Sequence, residues 1–264
     1  MSAQAAPLLP PDSVVSALRA AGCVFAEDEA ELILSTARTP EEATAMVRRR
    51  AAGLPLEHVV GWAAFHGLRI AVEPGVFVPR RRTEFLVDRA ALLLPPRPVV
   101  VDLCCGSGAL GVALVTGLDA FELHAADIEP AAVRCARRNV VPAGGRVHEG
   151  DLFDPLPTGL RGRVDVLLAN VPYVPTGEVG LLPAEARAHE PLVALDGGAD
   201  GLDVLRRVAA EAPRWLAPGG HLLFETTERQ VADALDAVAR GGLTAAVARS
   251  DEHSATVVIG GRPV

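Results

Sequence analysis

The sequence predicts an α/β protein: a doubly wound, mostly parallel seven-stranded sheet with an antiparallel terminal hairpin, preceded by a small N-terminal helical domain. Three observations predict it. After Pro98, short apolar runs alternate with helical patterns, the rhythm of a parallel sheet covered on both faces. The last two apolar runs are separated only by Asp251, Glu252 and His253, too few residues for a crossover, so they must pair antiparallel. The first sixty residues read as short helices with start and stop signals. A chain of 264 residues has room for a full α/β domain and a smaller helical one.

Taken in order, "PPDSVVSALRAAG" offers Asp12 and Ser13 as helix caps, Val14, Val15 and Leu18 on one face, and Gly22 as the stop. "TPEEATAMVRRRAAG" starts a helix with Thr39 as cap, Pro40 in the first turn and Glu42 three residues past the cap; Gly53 ends it. "AAFHGLRIAVEPGVFVP" reads as a β-hairpin connector, with Gly67 and Pro74-Gly75 as turn signals. This divides the chain into a helical domain (1–62), a hairpin linker (63–80) and a sheet domain (81–264). In the last of these, "VVVDLC", "FELHAAD", "RVHEGD", "VDVLLAN", "GGHLLFET", "LTAAVARS" and "SATVVIGG" are the strands. Between them lie the helices "ALGVALVTG", "EPAAVRCARRNV", "GLDVLRRVAAEAPRWL" and "ERQVADALDAVARGG". The segment from Val174 to Asp200 is long with little regular pattern, which favours a substrate-facing role.

Composition narrows the function classes. The net charge of −8 and an aromatic content of only 4% argue against a phosphate-tracking or base-stacking surface, so no direct nucleic-acid partner is expected. The chain has no lysine, which excludes Schiff-base chemistry and a Tyr/Lys proton relay; Arg80, Arg81 and Arg82 form one local basic run. Cys23, Cys104, Cys105 and Cys135 show neither metal-ligand nor disulfide-framework spacing, so no metal is expected. The start, "MSAQAAPLLPPDS", lacks the features of a signal peptide, and the apolar region 90–115 is broken by prolines and charges. A cytoplasmic monomer with no membrane contact is the expectation.

A parallel sheet binds ligands at the carboxyl ends of its strands, near the switch point. There stands "DLCCGSGALG", in which Gly106, Gly108 and Gly111 match G-x-G-x-x-G, and Asp127 ends the next strand at the spacing of a ribose-binding acid. Alone, this fits a nicotinamide enzyme, an S-adenosylmethionine enzyme or a bare tight turn. Three features separate them. Asp102, four residues before Gly106, could face a cationic ligand and would repel a pyrophosphate. "EGDLF" places Asp151 for an adenine amine and Leu152 and Phe153 for its faces. The third feature is the closing hairpin. Together they resemble the class I S-adenosylmethionine-dependent methyltransferase fold, whose seventh strand is inserted antiparallel by such a hairpin.

The fourth strand runs into "NVPY", which holds the chain's single tyrosine. An amide or exocyclic amine is a poor nucleophile because its lone pair is delocalised. Two acceptors, Asn170 Oδ1 and the Val171 carbonyl, could hold an NH2 group so that the lone pair points at a methyl carbon. Val171 precedes a proline and is biased to an extended conformation, while Pro172 has no competing N–H. Tyr173 can cover the planar group. Such catalysis is orientation, which supplies roughly 7–11 kcal/mol in well-placed reactions.

"NVPY" resembles the [Asn/Asp]-Pro-Pro-Tyr motif of methyltransferases that act on planar nitrogens. The stretches 53–87, 188–208 and 217–225 are similar to the protein-(glutamine-N5) methyltransferases that modify peptide chain release factors. The resemblance covers nearly the whole chain and implies that the helical domain docks the release factor. It also places Cys104, Cys105, Gly106, Ser107, Gly108, Asp127, Leu152 and Asn170 at cofactor-contact positions, the product being S-adenosyl-L-homocysteine. Asn170 to Tyr173 fall on the substrate motif, and Arg80, Thr83, Glu84 and Glu190 are further pocket candidates. Two residues depart from the pattern: Val171 stands where the family usually has Pro, and Cys104 where it has Gly. The competing readings are an adenine-amine nucleic-acid methyltransferase, disfavoured by acidic balance and few aromatics, and a non-catalytic cofactor-binding paralogue. A nicotinamide oxidoreductase is disfavoured by the terminal hairpin and the missing lysine.

Overall fold

A computed structural model describes residues 9–264. The first helices are α1 (Pro11–Ala20), α2 (Ala26–Thr36), α3 (Pro40–Ala51) and α4 (Leu56–Val60). Their amphipathic faces meet in a core of their own, formed by Val14, Leu18, Ile33, Met46, Val59 and smaller residues. Thr39 caps α3 by accepting from Glu42 N at 3.1 Å, and Gly53 adopts a positive φ at its end, as the sequence predicts. The start of α1 differs from expectation. Pro11 at the first helical position sets the required φ, so Pro10 is the cap residue. Asp12 and Ser13 already lie in the first turn, and Ser13 Oγ donates to Pro10 O. The first eight residues of the helical domain lie outside the described part of the chain.

The connector is the antiparallel pair β1 (Trp62–Phe65) and β2 (Leu68–Ala71), turning at His66-Gly67. A 3-10 turn at Arg81–Thr83 leads into α5 (Glu84–Ala91). Then follow β3 (Val99–Leu103), α6 (Ala109–Val115), β4 (Glu122–Asp127), α7 (Pro130–Val140), β5 (Arg146–Glu149) and β6 (Val164–Ala169). The chain continues through α8 (Ala184–His189), α9 (Asp203–Trp215), β7 (Leu216–Thr226), α10 (Val231–Arg240), β8 (Thr244–Ser250) and β9 (Ala255–Gly261). The sheet order is β5-β4-β3-β6-β7-β9-β8, and β9 alone runs against its neighbours. The predicted seven strands and terminal hairpin are therefore present.

Alternation along the central strands builds both faces. Val101, Leu103, Leu167 and Ala169 face the layer of α9 and α10, while Val100, Val166 and Leu168 face the layer of α5, α6 and α7. Each fully buried large aliphatic side chain contributes roughly 1.5–3 kcal/mol relative to exposure. Because these central strands are covered on both faces, their pattern in sequence is near-continuous apolarity, whereas the edge strands β5 and β8 are partly exposed.

The segment 174–200 is more ordered than its sequence pattern predicts. It contains a 3-10 helix (Thr176–Leu181), α8 and a 3-10 turn (Leu192–Ala194), and Val174 bridges Asp196 in parallel. Pro175, Pro183 and Pro191 each stand immediately before one of these pieces, their fixed φ starting a helical turn. That eight-residue proline spacing was the available signal. One cation ties the segment to the N-terminal helices. Arg50 of α3, with only 15% of its side chain exposed, pairs with Glu29 at 2.6 Å and with Glu185 of α8 at 3.1 Å. It also donates to Leu54 O at 2.9 Å.

Candidate active site

Strand register creates the site before any side chain is considered. Leu103 pairs with Ala126 of β4 on one side and Ala169 of β6 on the other. One step further, Cys104, Asp127 and Asn170 therefore emerge side by side at the carboxyl edge. The chain turns in opposite directions after β3 and β6, which opens the crevice of a doubly wound sheet there. A cavity of about 530 Å³ fills it, lined by Cys104–Ser107, Asp127, Asp151, Leu152 and Asn170–Tyr173, with Arg80 and Glu190 further along.

The glycine loop is held by its own backbone. Cys104, Gly106 and Gly108 all have positive φ (52°, 54° and 77°), a region that glycine enters freely and cysteine does not. Backbone geometry thus explains why the resemblance implies glycine at position 104. Gly106 lines the cavity, and a Cβ there would meet no protein atom within 4 Å, so the backbone is bare to an incoming ligand. Gly108 does different work: a Cβ would stand 2.5 Å from Val140 Cγ2, so its absence lets α6 pack on α7. Ser107 is buried, and its carbonyl accepts from Asn139 Nδ2 at 2.8 Å. Burial pushes the Cys104 and Cys105 thiols upward, aided by nearby carboxylates, so both are neutral and unreactive.

Asp127 receives Gly106 N at 2.8 Å on one oxygen and Glu129 N at 2.9 Å on the other. Each oxygen keeps a second lone pair for a ligand hydroxyl. Asp102 stands apart from the loop. It is buried on the α6 side of β3, outside the cavity lining, and Oδ2 accepts from Gly111 N at 2.9 Å. Gly111 allows this approach, since a Cβ there would lie 3.1 Å from that oxygen. Burial and the neighbouring Asp127 raise the Asp102 carboxyl to about 7, with the Gly111 bond opposing them. Phe153 is a correction. Instead of flanking a ligand it stacks on Trp215 at 5.4 Å in the core, while Leu152, at φ +46°, does line the cavity. Asp151 also lines it but is paired with Arg207 at 2.5 Å.

At the other end, Asn170 Oδ1 is buried with no hydrogen-bond partner among the described residues. A buried amide oxygen left open costs about 1–3 kcal/mol, so it marks a place where a donor belongs. Val171 and Pro172 are buried beside it. Arg80 reaches Glu190 Oε1 at 2.5 Å, leaving Glu190 Oε2 a second open buried acceptor in the cavity. Thr83 and Glu84 stand outside the lining: Thr83 Oγ1 donates to Glu225 at 2.6 Å, and Glu84 accepts from His66 N at 3.0 Å. Sequence reasoning missed Arg82 and Glu225, which bracket the Tyr173 hydroxyl. It also missed Glu185, which brings α8 to the cavity. No local pattern marks them, because their partners are distant in the chain.

Comparisons with known proteins agree with this architecture. A family model described as "Methyltransferase small domain" matches residues 67–184. The release factor glutamine methyltransferase of Geobacter sulfurreducens is 38% identical, the match covering 84% of this chain and 79% of that protein. The 4-amino-L-phenylalanine/4-methylamino-L-phenylalanine methyltransferase of Streptomyces pristinaespiralis is 40% identical over 70% of this chain and 65% of its own. Among solved structures, a methyltransferase from Pyrococcus furiosus superposes with a TM-score of 0.58 at 15% identity, covering 75% of this chain and 90% of that one, a likeness of fold.

Proposed function

The chain belongs to the release factor glutamine methyltransferase family, and from that premise we propose that it transfers a methyl group from S-adenosylmethionine to the side-chain amide nitrogen of a glutamine in a peptide chain release factor. The observation that carries this reading is the open, buried Asn170 Oδ1 one residue past the strand that flanks the glycine loop. The cavity fits the cofactor on three counts: a bare backbone at Gly106, a carboxylate at Asp127 with lone pairs free, and apolar surface at Leu152. When bound, S-adenosylmethionine supplies an electrophilic methyl group on a sulfonium sulfur.

The chain's own groups do the rest. Asp127 would accept the ribose hydroxyls, and the 104–107 backbone would cradle the amino-acid end. Asn170 Oδ1 and the Val171 carbonyl would accept the two N–H bonds of the acceptor amide and turn its lone pair toward the methyl; as the nitrogen–carbon bond forms, the sulfur–carbon bond breaks and one amide proton is lost to water. Pro172 removes a competing donor. Glu190, held by Arg80 at Oε1, would accept a backbone N–H of the acceptor loop at its open Oε2. The helical domain, residues 1–62, grips the folded acceptor outside the cavity, which makes a short peptide a poor substrate. No helix among the described residues is long and apolar enough to cross a membrane. The reading takes the enzyme to be a cytoplasmic monomer.

One observation favours a second acceptor class. A relative that is 40% identical carries the name of an arylamine methyltransferase, and an arylamine offers the same planar, delocalised nitrogen. The deciding experiment incubates the enzyme and labelled cofactor with intact release factor, its loop peptide, 4-aminophenylalanine and adenine-containing DNA. Intact mass and peptide mapping should locate one methyl on a loop glutamine of the intact factor. Label in the arylamine or DNA alone would reassign the acceptor and leave cofactor use standing.

A further inference from the structure

Tyr173 is held from two directions. Its hydroxyl donates to Glu225 Oε1 at 2.9 Å and accepts from Arg82 Nη2 at 2.5 Å. Arg82 Nε donates to the same Glu225 oxygen at 2.6 Å, closing a triangle, and Thr83 Oγ1 occupies the other oxygen. Glu225 is 4% exposed at the side chain, so these partners, rather than water, fix it. The main chain is clamped as well: Gln230 Nε2 donates to Tyr173 O at 2.9 Å, while Gln230 Oε1 accepts from Thr227 Oγ1 at 2.6 Å.

A phenol in a cavity wall can act as acid, as base or as a rigid surface. Proton bookkeeping decides among them. The group has one proton, and it is committed to Glu225. Burial and the Glu225 charge raise the phenol well above its ordinary range, against the opposing pull of Arg82. These two, one from the end of β7 and one from the turn entering α5, are the charged groups that act on it. The oxygen is therefore neutral at physiological pH and has no proton to spare. Its ring position is what the surrounding groups determine.

We propose that Arg82 and Glu225 are positioning residues for the acceptor: they pin the Tyr173 phenol so that its ring is a fixed wall of the cavity and takes no part in proton transfer. The proposal rests on the methyl-transfer reading above, and two separate readouts keep the two apart. The chain has a single tyrosine, so tyrosinate absorbance reports this residue alone. Titrated as far as circular dichroism shows the fold intact, the wild type should ionise above the ordinary tyrosine midpoint of about 10. Glu225→Gln, which removes the carboxylate and leaves Arg82, should bring the midpoint down.

The second readout is kinetic. Arg82→Ala alters a half-exposed side chain and should leave cofactor affinity unchanged. It should lower kcat/KM for the acceptor by about 3- to 30-fold, within the range that coupled neighbours show. Arg82→Lys should recover part of the loss, and Arg82→Ala should cost nothing further on a Tyr173→Phe background. A wild-type midpoint at the ordinary value would overturn the pinned phenol. Full multiplication of the Arg82→Ala and Tyr173→Phe effects, or unchanged acceptor kinetics in Arg82→Ala, would overturn the positioning role and leave methyl transfer standing. A raised midpoint in an enzyme that methylates no acceptor would instead defeat the functional reading.

Discussion

The two ends of the cavity are built by different means. At the cofactor end, positive backbone angles at Cys104, Gly106 and Gly108 shape a loop of adjacent residues, and Asp127 completes it from the neighbouring strand. At the acceptor end the backbone supplies only Asn170 to Tyr173. The remainder is a set of side-chain bonds between distant segments: Arg80 with Glu190, Arg82 with Glu225, and Glu225 with Tyr173. Backbone cradles tolerate side-chain change except where φ is positive, whereas an end made of ion pairs changes with each partner. The first arrangement suits a ligand common to many enzymes and the second a ligand particular to few.

The sharpest way to break this contrast is Asn170→Ala. Removing one preorganised polar group should lower turnover by about 10²–10³, while calorimetry finds cofactor affinity largely retained. Full turnover in this variant would make the acceptor end an incidental turn. Asp127→Ala is the mirror experiment. Loss of hydrogen bonds to a charged group should weaken cofactor binding by about 1.5–3 kcal/mol, measured by the same titration, without changing which acceptor is methylated.

A smaller effect tests Asp102, which belongs to neither end. Its folded-state carboxyl is raised to about 7, so between roughly pH 4 and 7 the folded chain holds a proton that the unfolded chain has released. This residue's contribution to stability is therefore greatest at the acid end and declines as pH rises through 7. Asp102→Asn should gain on the wild type by on the order of 1–2 kcal/mol between pH 5 and 8 in urea unfolding, since relaxation reduces the full burial cost. Equal shifts in both proteins would show that the carboxyl is solvated.

The smallest effect concerns the loop itself. Cys104→Gly should leave activity intact and relieve the left-handed backbone by about 1 kcal/mol, offset in part by greater freedom of the unfolded chain. Val171→Pro should be close to neutral in turnover if only the carbonyl at that position matters. A large loss would mean that its N–H or side chain takes part.

The same contrast explains what was legible in the sequence. The strands themselves, the terminal hairpin, the glycine loop and Asp127 rest on periodicity or short spacing, and all can be read locally. Asp102 is read from its place four residues before Gly106 and Phe153 from the end of the third strand, but alternation along β3 buries the first and stacking on Trp215 takes the second into the core. Arg82 and Glu225 were invisible because 143 residues separate them. Glu190 was singled out as a residue type, yet its partner Arg80 lies 110 residues away, and only the fold brings the two together. Ion-pair partners carry no periodicity, so nothing short of the tertiary structure identifies them.

Arg50 has a mechanical meaning beyond its bonds. It is anchored to Glu29 in α2 and to Leu54 at the end of its own helix, and its free edge holds Glu185, a residue of the cavity wall. The guanidinium acts as a rigid coupling between two bodies, because its planar donors are spent in several directions at once. It thereby links the N-terminal helices to α8 at the rim of the cavity. Under the proposed reading, in which the N-terminal helices hold the acceptor, this one side chain joins that surface to the opening it serves.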